Sequence, residues 1–392
     1  MRCVKDKLGD SMSVKVVLCD NARHFRDFIQ VPYTLHAHDP NWVPPLRFTT
    51  KRILNKKNPF YKHADVCLWV AYRNNKLVGR IAGIIYSLHN QFYHEKTAFW
   101  GFFEAEESKE IAKALFDQVE QWAHEQQMTM LRGPMNPTIN YECGLQISAF
   151  DTKPFIMMPQ NPEYYPELVE NQGYEKIKDL QAWIVQINEL SIQSKKMELI
   201  KRLQQKHNIT IRPINMKRFA EEMQLISTIY NDAWGNNWGY LPVDLDECHY
   251  LAADLKAIVR PDFIYIAEMA GEPCGFSVAV PDLNQILIKL RNGKLSFMNT
   301  LKLIWHLKFK ATMNQGRIPL LGVLKKYQHL PIGGMLYCEY LEKIKGTHCV
   351  QAEFSWILED NESMQSGLQL LNASHYKTYR LYEKQLNLKV QI

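Results

Sequence analysis

Apolar and polar positions alternate in short bursts along this chain, and the bursts fall into two sets. Val14–Leu18 alternates with period two, the mark of a half-buried strand. Asp20 then stands where a helix N-cap is expected. Cys67–Arg73 and Leu77–Tyr86, separated by Asn74-Asn75, read as a hairpin, and Ile81–Tyr86 is apolar enough for a buried strand. Phe99–Phe103 follows as another strand. The same order returns later: a strand at Ile209–Pro213, a helix from Met216 to Tyr230, a hairpin of Phe263–Met269 and Pro273–Val280 across Ala270–Glu272, and a strand at Pro319–Leu324. Each set predicts strand, helix, two-stranded hairpin, strand, long helix, strand, helix and closing strands.

Residue matches fix the repeat. Asn41-Trp42 recurs as Asn237-Trp238, Trp69-Val70-Ala71 as Tyr265-Ile266-Ala267, and Gly79 as Gly275, each 196 positions on. Gly101 then faces Gly322 and Asn161 faces Asn361, at offsets of 221 and 200. The shifts place an insertion in each copy: Gly133–Pro159 in the first and about Gln285–Asn314 in the second. The order of elements predicts an α/β (α+β) class. We expect two tandem domains, 12–190 and 209–392, each a twisted, mixed but mostly antiparallel sheet flanked by helices. Residues 191–208 read as a linker helix, with Met197, Ile200 and Leu203 at helical spacing.

Composition changes little by itself. Of 392 residues, 46% are apolar and 22% charged, which excludes a disordered or collagenous chain. No run approaches the roughly 18 apolar residues of a membrane span. Met1–Ser11 is polar and patternless, so Met12 is a second candidate start. Eight scattered cysteines form no C-x-x-C, and a reduced, cytoplasmic protein is the expectation. The net charge of +6 hides an asymmetry, because Leu283–Cys338 contains nine Lys or Arg and no Asp or Glu. A focused basic segment suits an anionic ligand or surface. Within it, Phe297, Leu301, Ile304 and Trp305 fall on one side of a helix and Lys302, His306 and Lys310 on another. Such a helix can pack on the core, cover a long acyl chain, or lie on an anionic membrane, so peripheral membrane contact through 285–314 is an expectation and Trp305 a candidate substrate contact.

The same segment holds a strand, Ile318–Leu324, that runs into Lys325-Lys326-Tyr327-Gln328, Pro331-Ile332-Gly333-Gly334 and a helix from about Ile332 to Lys345. Amides at a helix start opened by small residues can cradle phosphate. The spacing is neither G-x-x-x-x-G-K-[ST] nor G-x-G-x-x-G. It resembles the pyrophosphate loop of the GNAT superfamily of acyl-CoA-dependent N-acyltransferases, [QR]-x-x-G-x-[GA]. Gln328 and Gly333 match, and Pro331 replaces the first glycine. GFFE, GPMN, NPEYYPEL and the terminal YKTYRLYE look like an uncharacterised bacterial tandem-GNAT family. The resemblance implies a sheet whose central strands splay to admit a pantetheine arm. It also implies acetyl-CoA or a longer acyl-CoA as co-substrate, held by Val323, Lys325, Lys326, Gln328, Ile332, Gly333, Gly334 and Asn361. The first copy puts Glu104-Ala105-Glu106-Glu107 at the matching loop, where carboxylates repel a diphosphate, so no nucleotide site is expected there.

Acyl transfer to an amine needs a base, a donor for the thioester oxygen and a proton for the thiolate. Asn136, Asn140 and Glu142 in the first insertion are candidates to line an acceptor pocket, with Glu142 as general base. Glu353 is a second base candidate. The tyrosine the superfamily carries seven residues after Asn361 is Leu368 here, so Tyr376 or Tyr379 is the candidate acid, Tyr379 foremost. Tyr164, Tyr165 and Tyr174 read as structural. His89 and His94 lack H-E-x-x-H spacing and read as surface residues at a hairpin end. Trp100, Trp122 and Trp305 read as core rather than as base-stacking platforms, and nothing points clearly to nucleic acid or to a metal.

The leading expectation is an acyl-CoA-dependent N-acyltransferase acting on a small or lipid-like amine. A Fem-like aminoacyl-tRNA-dependent transferase is an alternative, although Ser191–His207 is too short for that family's helical-hairpin arm. A catalytically inactive GNAT-fold binding module is another, favoured by Pro331 and Leu368.

Overall fold

The structure, a computed structural model, describes residues 13–187, 194–243, 246–250, 261–294, 298–301, 303, 305, 313–344 and 347–386. The first half carries strands β1 (Lys15–Leu18), β2 (Ala64–Arg73), β3 (Lys76–Tyr86), β4 (Thr97–Ala105), β5 (Met130–Gly133), the short β6 (Met135–Asn136), β7 (Glu142–Cys143) and β8 (Leu145–Gln146), and β9 (Glu175–Gln186). Its helices are α1 (Ala22–Leu35), α2 (Arg47–Ile53), α3 (Ser87–Tyr93), α4 (Lys109–Glu125) and α5 (Tyr165–Glu170). Linker helix α6 (Ser194–Lys206) leads to β10 (Ile209–Pro213), α7 (Phe219–Trp234), β11 (Ile264–Met269), β12 (Glu272–Pro281), β13 (Gln315–Val323), β14 (Gln351–Leu358) and β15 (Ser374–Gln385). Among the later helices are Asn284–Leu287, Ile332–Ile344 and Glu362–Gln369.

Local chemistry explains most boundaries. Asn74 and Asn75 both take positive φ, which a two-residue hairpin needs, and Ala270 and Gly271 do the same in the second copy. The α1 cap is Asn21 rather than Asp20. The helix begins at Ala22, so the Asn21 side chain is the one placed to accept from the amides of Arg23 and His24, while Asp20 reaches the His24 ring. The helix expected from Met216 starts as a tight turn, Met216–Arg218, and α7 proper runs on to Trp234. His89 is buried, not surface. It sits on α3 against Phe99, with its Nε2 3.2 Å from the Glu95 carboxylate.

Thirteen strands form one sheet in the order β1-β2-β3-β4-β5-β15-β9-β14-β13-β12-β11-β10, with β8 alongside β15. Helices α1 and α4 cover opposite faces of the first half: Phe28, Ile29, Val70 and Phe102 pack on one side, Trp69, Trp100, Leu115 and Phe116 on the other. Helix α7 and the helix Ile332–Ile344 do the same in the second half. The centre of the sheet holds a feature the repeat does not announce, because the closing strands are exchanged. Strand β9 from the first half pairs with β14 (Phe354 opposite Trp183), and β15 from the second half pairs with β5 (Tyr382 opposite Gly133).

Each half contains one parallel pair, and there the sheet opens. Strands β4 and β5 pair only from Thr97–Met130 to Phe99–Arg132, and β13 and β14 only from Gln315–Gln351 to Ile318–Phe354. Beyond those rows the strands diverge. In the first half the insertion fills the apex. The carbonyl oxygen of Met135 runs so close to Gly101 that a Cβ there would sit 1.7 Å from it, and the Asn136 Oδ1 accepts from the Phe102 amide at 2.6 Å. In the second half the splay stays open.

Candidate active-site cavity

Both splays face one cavity of about 1260 Å³ between the halves. That is larger than the ~300–1,000 Å³ of ordinary small-ligand pockets. Its second-half arm is walled by Pro319–Val323 of β13 and Ser355–Leu358 of β14, with Lys325, Gln328, Gly333 and Asn361 at one end. Strand β13 pairs with β12 on its other side, as in Val278 opposite Leu320 and Gly275 opposite Val323. Past Ile318, the edge of β13 that faces β14 has no strand partner and is available to an extended ligand carrying amides. The Gln328 side chain turns back to donate to the Val323 carbonyl at 3.1 Å, which shapes the loop. Lys325 donates its amide to the Asp232 carboxylate and its Nζ to the Asn236 Oδ1. Among the described residues no side chain accepts from the amides of Gly333 and Gly334, at the start of the helix Ile332–Ile344. A Cβ on Gly333 would meet Leu321 at an ordinary 3.4 Å. An open strand edge, uncapped helix amides and a lysine at the loop fit a diphosphate with a pantetheine arm.

The structure sorts the expected cofactor residues. Val323, Lys325, Gln328, Gly333 and Asn361 line the cavity, whereas Lys326, Ile332 and Gly334 do not. Lys326 lies over the Tyr327 ring, Ile332 is buried in the core, and Gly334 faces Ile200 of the linker helix. Asn361 is also the N-cap of Glu362–Gln369, its Oδ1 accepting from the Met364 amide.

The first half's matching loop is closed. Glu104 is only 14% exposed and is held by His36 Nε2 at 2.6 Å, Arg80 at 3.3 Å and the Tyr165 hydroxyl at 2.8 Å. Burial opposes its charge, but His36, Arg80 and Tyr165 outweigh that and keep its carboxyl below the usual range. Ser108 caps the start of α4, and Glu110 in its first turn pairs with Arg73.

Of the acceptor candidates, Asn136, Asn140 and Glu142 line the cavity. Asn136 spends its oxygen on the Phe102 amide, and Asn140 accepts from the Tyr230 hydroxyl at 3.0 Å while its buried Nδ2 has no partner. Glu142, on β7 opposite Asn136, is reached from the cavity. Burial raises its pKa and the nearby Arg317 partly opposes the rise. Trp305 is not core as its apolar pattern suggested: it is 53% exposed, like its neighbours Met298 and Leu301, and is not part of the cavity lining. Phe297, Lys302, Ile304, His306 and Lys310 lie outside the described residues.

Glu353 and Tyr379 stand behind the cavity wall, within a buried network that sequence reading did not assemble. Arg317 on β13 donates to the Ser355 Oγ (2.8 Å), the Ser355 carbonyl (3.0 Å) and the carbonyls of Ile156 (3.1 Å) and Met157 (3.3 Å), with Glu353 at 3.6 Å. Glu353 also accepts from Ser355 and from the Tyr376 hydroxyl. Tyr379 is fully buried, its hydroxyl unpartnered and its pKa pushed well up by burial and by Glu353. Lys377, also buried, is pushed down to about 8 by burial. The one sequence signal for this network was Arg317 itself, a lone cation opening an apolar strand.

Among the described residues no helix is long and apolar enough to cross a membrane, no acid or thiol cluster is placed to hold a metal, and the seven described cysteines are free. No family model matches the chain. Its architecture matches the tandem GNAT protein of the clavulanic acid biosynthesis pathway, at TM-score 0.57 and 11% identity over 96% of this chain and 99% of that one. It also matches the GCN5-related glucosamine N-acetyltransferase region of a fungal multi-domain β-N-acetylglucosaminidase, at TM-score 0.59 and 13% identity over 97% of this chain and 39% of that one. In sequence it is 37% identical to protein YghO of Escherichia coli over 93% of this chain and 94% of that one. It is 34% identical to the bacterial ceramide synthase of Caulobacter vibrioides over 95% of this chain and 98% of that one. With that identity along nearly the whole of both relatives, on a doubled and splayed sheet of the GNAT fold, the chain belongs to the family of YghO and the Caulobacter ceramide synthase.

Proposed function

We propose that this protein transfers an acyl group from acyl-CoA to the nitrogen of a lipid-like amine. The observation that carries the reading is the cavity. Its second-half arm has an open strand edge and a loop suited to pantetheine and diphosphate, and it leads into a large apolar space where Glu142 has no hydrogen-bond partner among the described residues. A ceramide is an N-acylated long-chain amine, so the Caulobacter relative's name supports an acceptor of that chemical class.

In this reading the amine is held against Glu142, whose carboxylate takes a proton as nitrogen attacks the thioester carbonyl. The N–C bond forms, the C–S bond breaks, and CoA leaves as the thiolate. A carboxylate with a raised pKa is a better base for this step than an exposed one. Arg317 anchors Ile156 and Met157, which line the space beside Glu142, and so positions the wall rather than the reacting atoms. The division into a first domain over 12–190 and a donor-binding domain over 209–392 is part of the proposal, with the closing strands exchanged between them. Peripheral membrane contact belongs to it as well. Met298, Leu301 and Trp305 are 60%, 46% and 53% exposed, within a segment that has no acidic residue and nine basic ones.

Calorimetric titration with acetyl- and palmitoyl-CoA, followed by an N-acylation assay with a long-chain amine, tests the reading. Binding of an acyl-CoA and formation of the amide are expected. A folded protein that binds no acyl-CoA would remove the proposal and leave the binding-module alternative.

A further inference from the structure

We infer that the first half's slot, whose apex is filled by the insertion, is a binding site for a hydrocarbon chain. The inference rests on the acyl-transfer reading for the identity of the chain's owner, but not for the site itself. Past the plugged apex the slot remains part of the cavity. Trp42 and Pro44 wall it on the strap before α2, Phe102 and Phe103 on the end of β4, and Leu145 on β8. All five are buried residues that nonetheless face the cavity. At its floor lie Arg80 and Glu104, paired with each other, with the Phe28 carbonyl, with His36 and with Tyr165, although the buried Arg80 Nε has no partner.

Each feature argues against a polar or phosphorylated occupant. At the matching helix start Ser108 caps the Ile111 amide, and Glu110 in the first turn places a carboxylate where a phosphate would sit. Glu106 and Glu107 follow in the loop. The strand edge that pantetheine would use is covered by Met135 and Asn136. What remains is an apolar wall over a floor whose two charges pair with each other, which offers a methylene chain burial. The floor also sets a limit. A chain can extend until it meets the Arg80–Glu104 pair, and further methylenes must then stay in water or break that pair, so the slot acts as a length ruler.

The chain could come from the acyl donor or from the acceptor amine, and a titration distinguishes them. Calorimetry would be run on acetyl-, octanoyl- and palmitoyl-CoA, and separately on butyl-, octyl- and hexadecylamine, with the full-length protein. One series should tighten about two- to fourfold per added methylene until the slot is filled. Phe102→Leu, which widens the slot, should move the point where the gain stops to longer chains. Leu145→Phe should move it to shorter ones, with thermal melts confirming that both variants are folded. The series that responds identifies the owner of the chain. A flat response in both series, or a stopping point unmoved by both folded variants, would overturn the inference. If no acyl-CoA binds but the alkylamine series still responds, the slot stands and the acyl-transfer reading falls.

Discussion

Arg317 gives the sharpest test of how the two halves are joined. Its side chain is 2% exposed and Glu353 is 0% exposed, so neither charge has water to fall back on. Arg317→Met keeps most of the volume but removes four donated hydrogen bonds and the cation beside Glu353. Breaking one partner of a buried ion pair costs about 3–5 kcal/mol, because the remaining charge stays buried. The carbonyls of Ile156, Met157 and Ser355 lose their donor as well, and a buried acceptor left unpaired costs about 1–3 kcal/mol where no other group moves in. A loss of at least about 3 kcal/mol in urea unfolding is therefore expected, read from the midpoint at constant slope. The double variant Arg317→Met/Glu353→Gln removes the orphaned charge and should recover part of the loss. Because Ile156 and Met157 belong to the first half's insertion, acyl transfer should fall along with stability. A single variant within about 1 kcal/mol of wild type would refute the view that this network clamps the insertion onto the second half. So would a double variant no more stable than the single one.

Glu142→Gln should lower kcat/KM about 10²–10⁴-fold with acyl-CoA affinity intact, and should abolish the rise of activity with pH that a base held above the usual carboxylate range produces; an unchanged pH profile would remove Glu142 from the role. Gly333→Glu should eliminate acyl-CoA binding by calorimetry without lowering the thermal midpoint, since Leu321 is in ordinary contact range of a Cβ there and only the added charge opposes the diphosphate. Asp282 accepts from the amides of Ile156 and Asn284, and burial pushes its pKa up to about 7. A folded-state pKa above the unfolded one means that its contribution is fully present below about pH 4 and is lost as pH rises through about 7. Asp282→Asn keeps a carbonyl acceptor, so its stability relative to wild type should climb between pH 4 and 8, measured by denaturant unfolding; a pH-independent difference would contradict the assignment.

Much of the fold was legible because it is written twice. A turn such as Asn74-Asn75 or Ala270-Gly271 carries its own geometry, and a repeat of Trp69-Val70-Ala71 as Tyr265-Ile266-Ala267 reports equivalent places in equivalent strands. The loop at Gln328–Gly334 was legible for the same local reason. The acidic run of the first half was legible as carboxylates ahead of a helix, but the network around Glu104 was not, because His36 lies 68 residues away and Tyr165 61 residues away. The Arg317–Glu353–Tyr376 cluster was illegible for a stronger reason. Glu353 and Tyr376 were legible as separate candidates, but no local pattern says that they meet each other and Arg317, or that Arg317 holds the insertion through Ile156 and Met157. Exchange itself leaves no local mark. In a repeated domain the two closing strands meet nearly the same neighbours in either arrangement, so propensity and periodicity are indifferent to which copy a strand joins.

That indifference has a consequence for how the halves hold together. The first half contributes β9 to a ladder with β14 and β15, and the second contributes β15 to ladders with β9, β5 and β8. Neither half has a complete sheet without the other. A half taken alone would expose the open edge of β5 or of β14 and lose the partners of its own closing strand. The covalent link through α6 is therefore dispensable once the chain has folded. A protease site inserted after Lys206, cleaved in the native protein, should yield two fragments that co-elute in gel filtration. They should separate only in denaturant and keep acyl-CoA affinity close to that of the uncut chain. Two fragments that part under native conditions, each with a cooperative melt of its own, would show independent domains and refute the exchanged sheet. Persistence of the complex would place the cavity between two bodies locked along one continuous sheet, so that substrates enter past the loops, the strap before α2 among them, and not by separation of the halves.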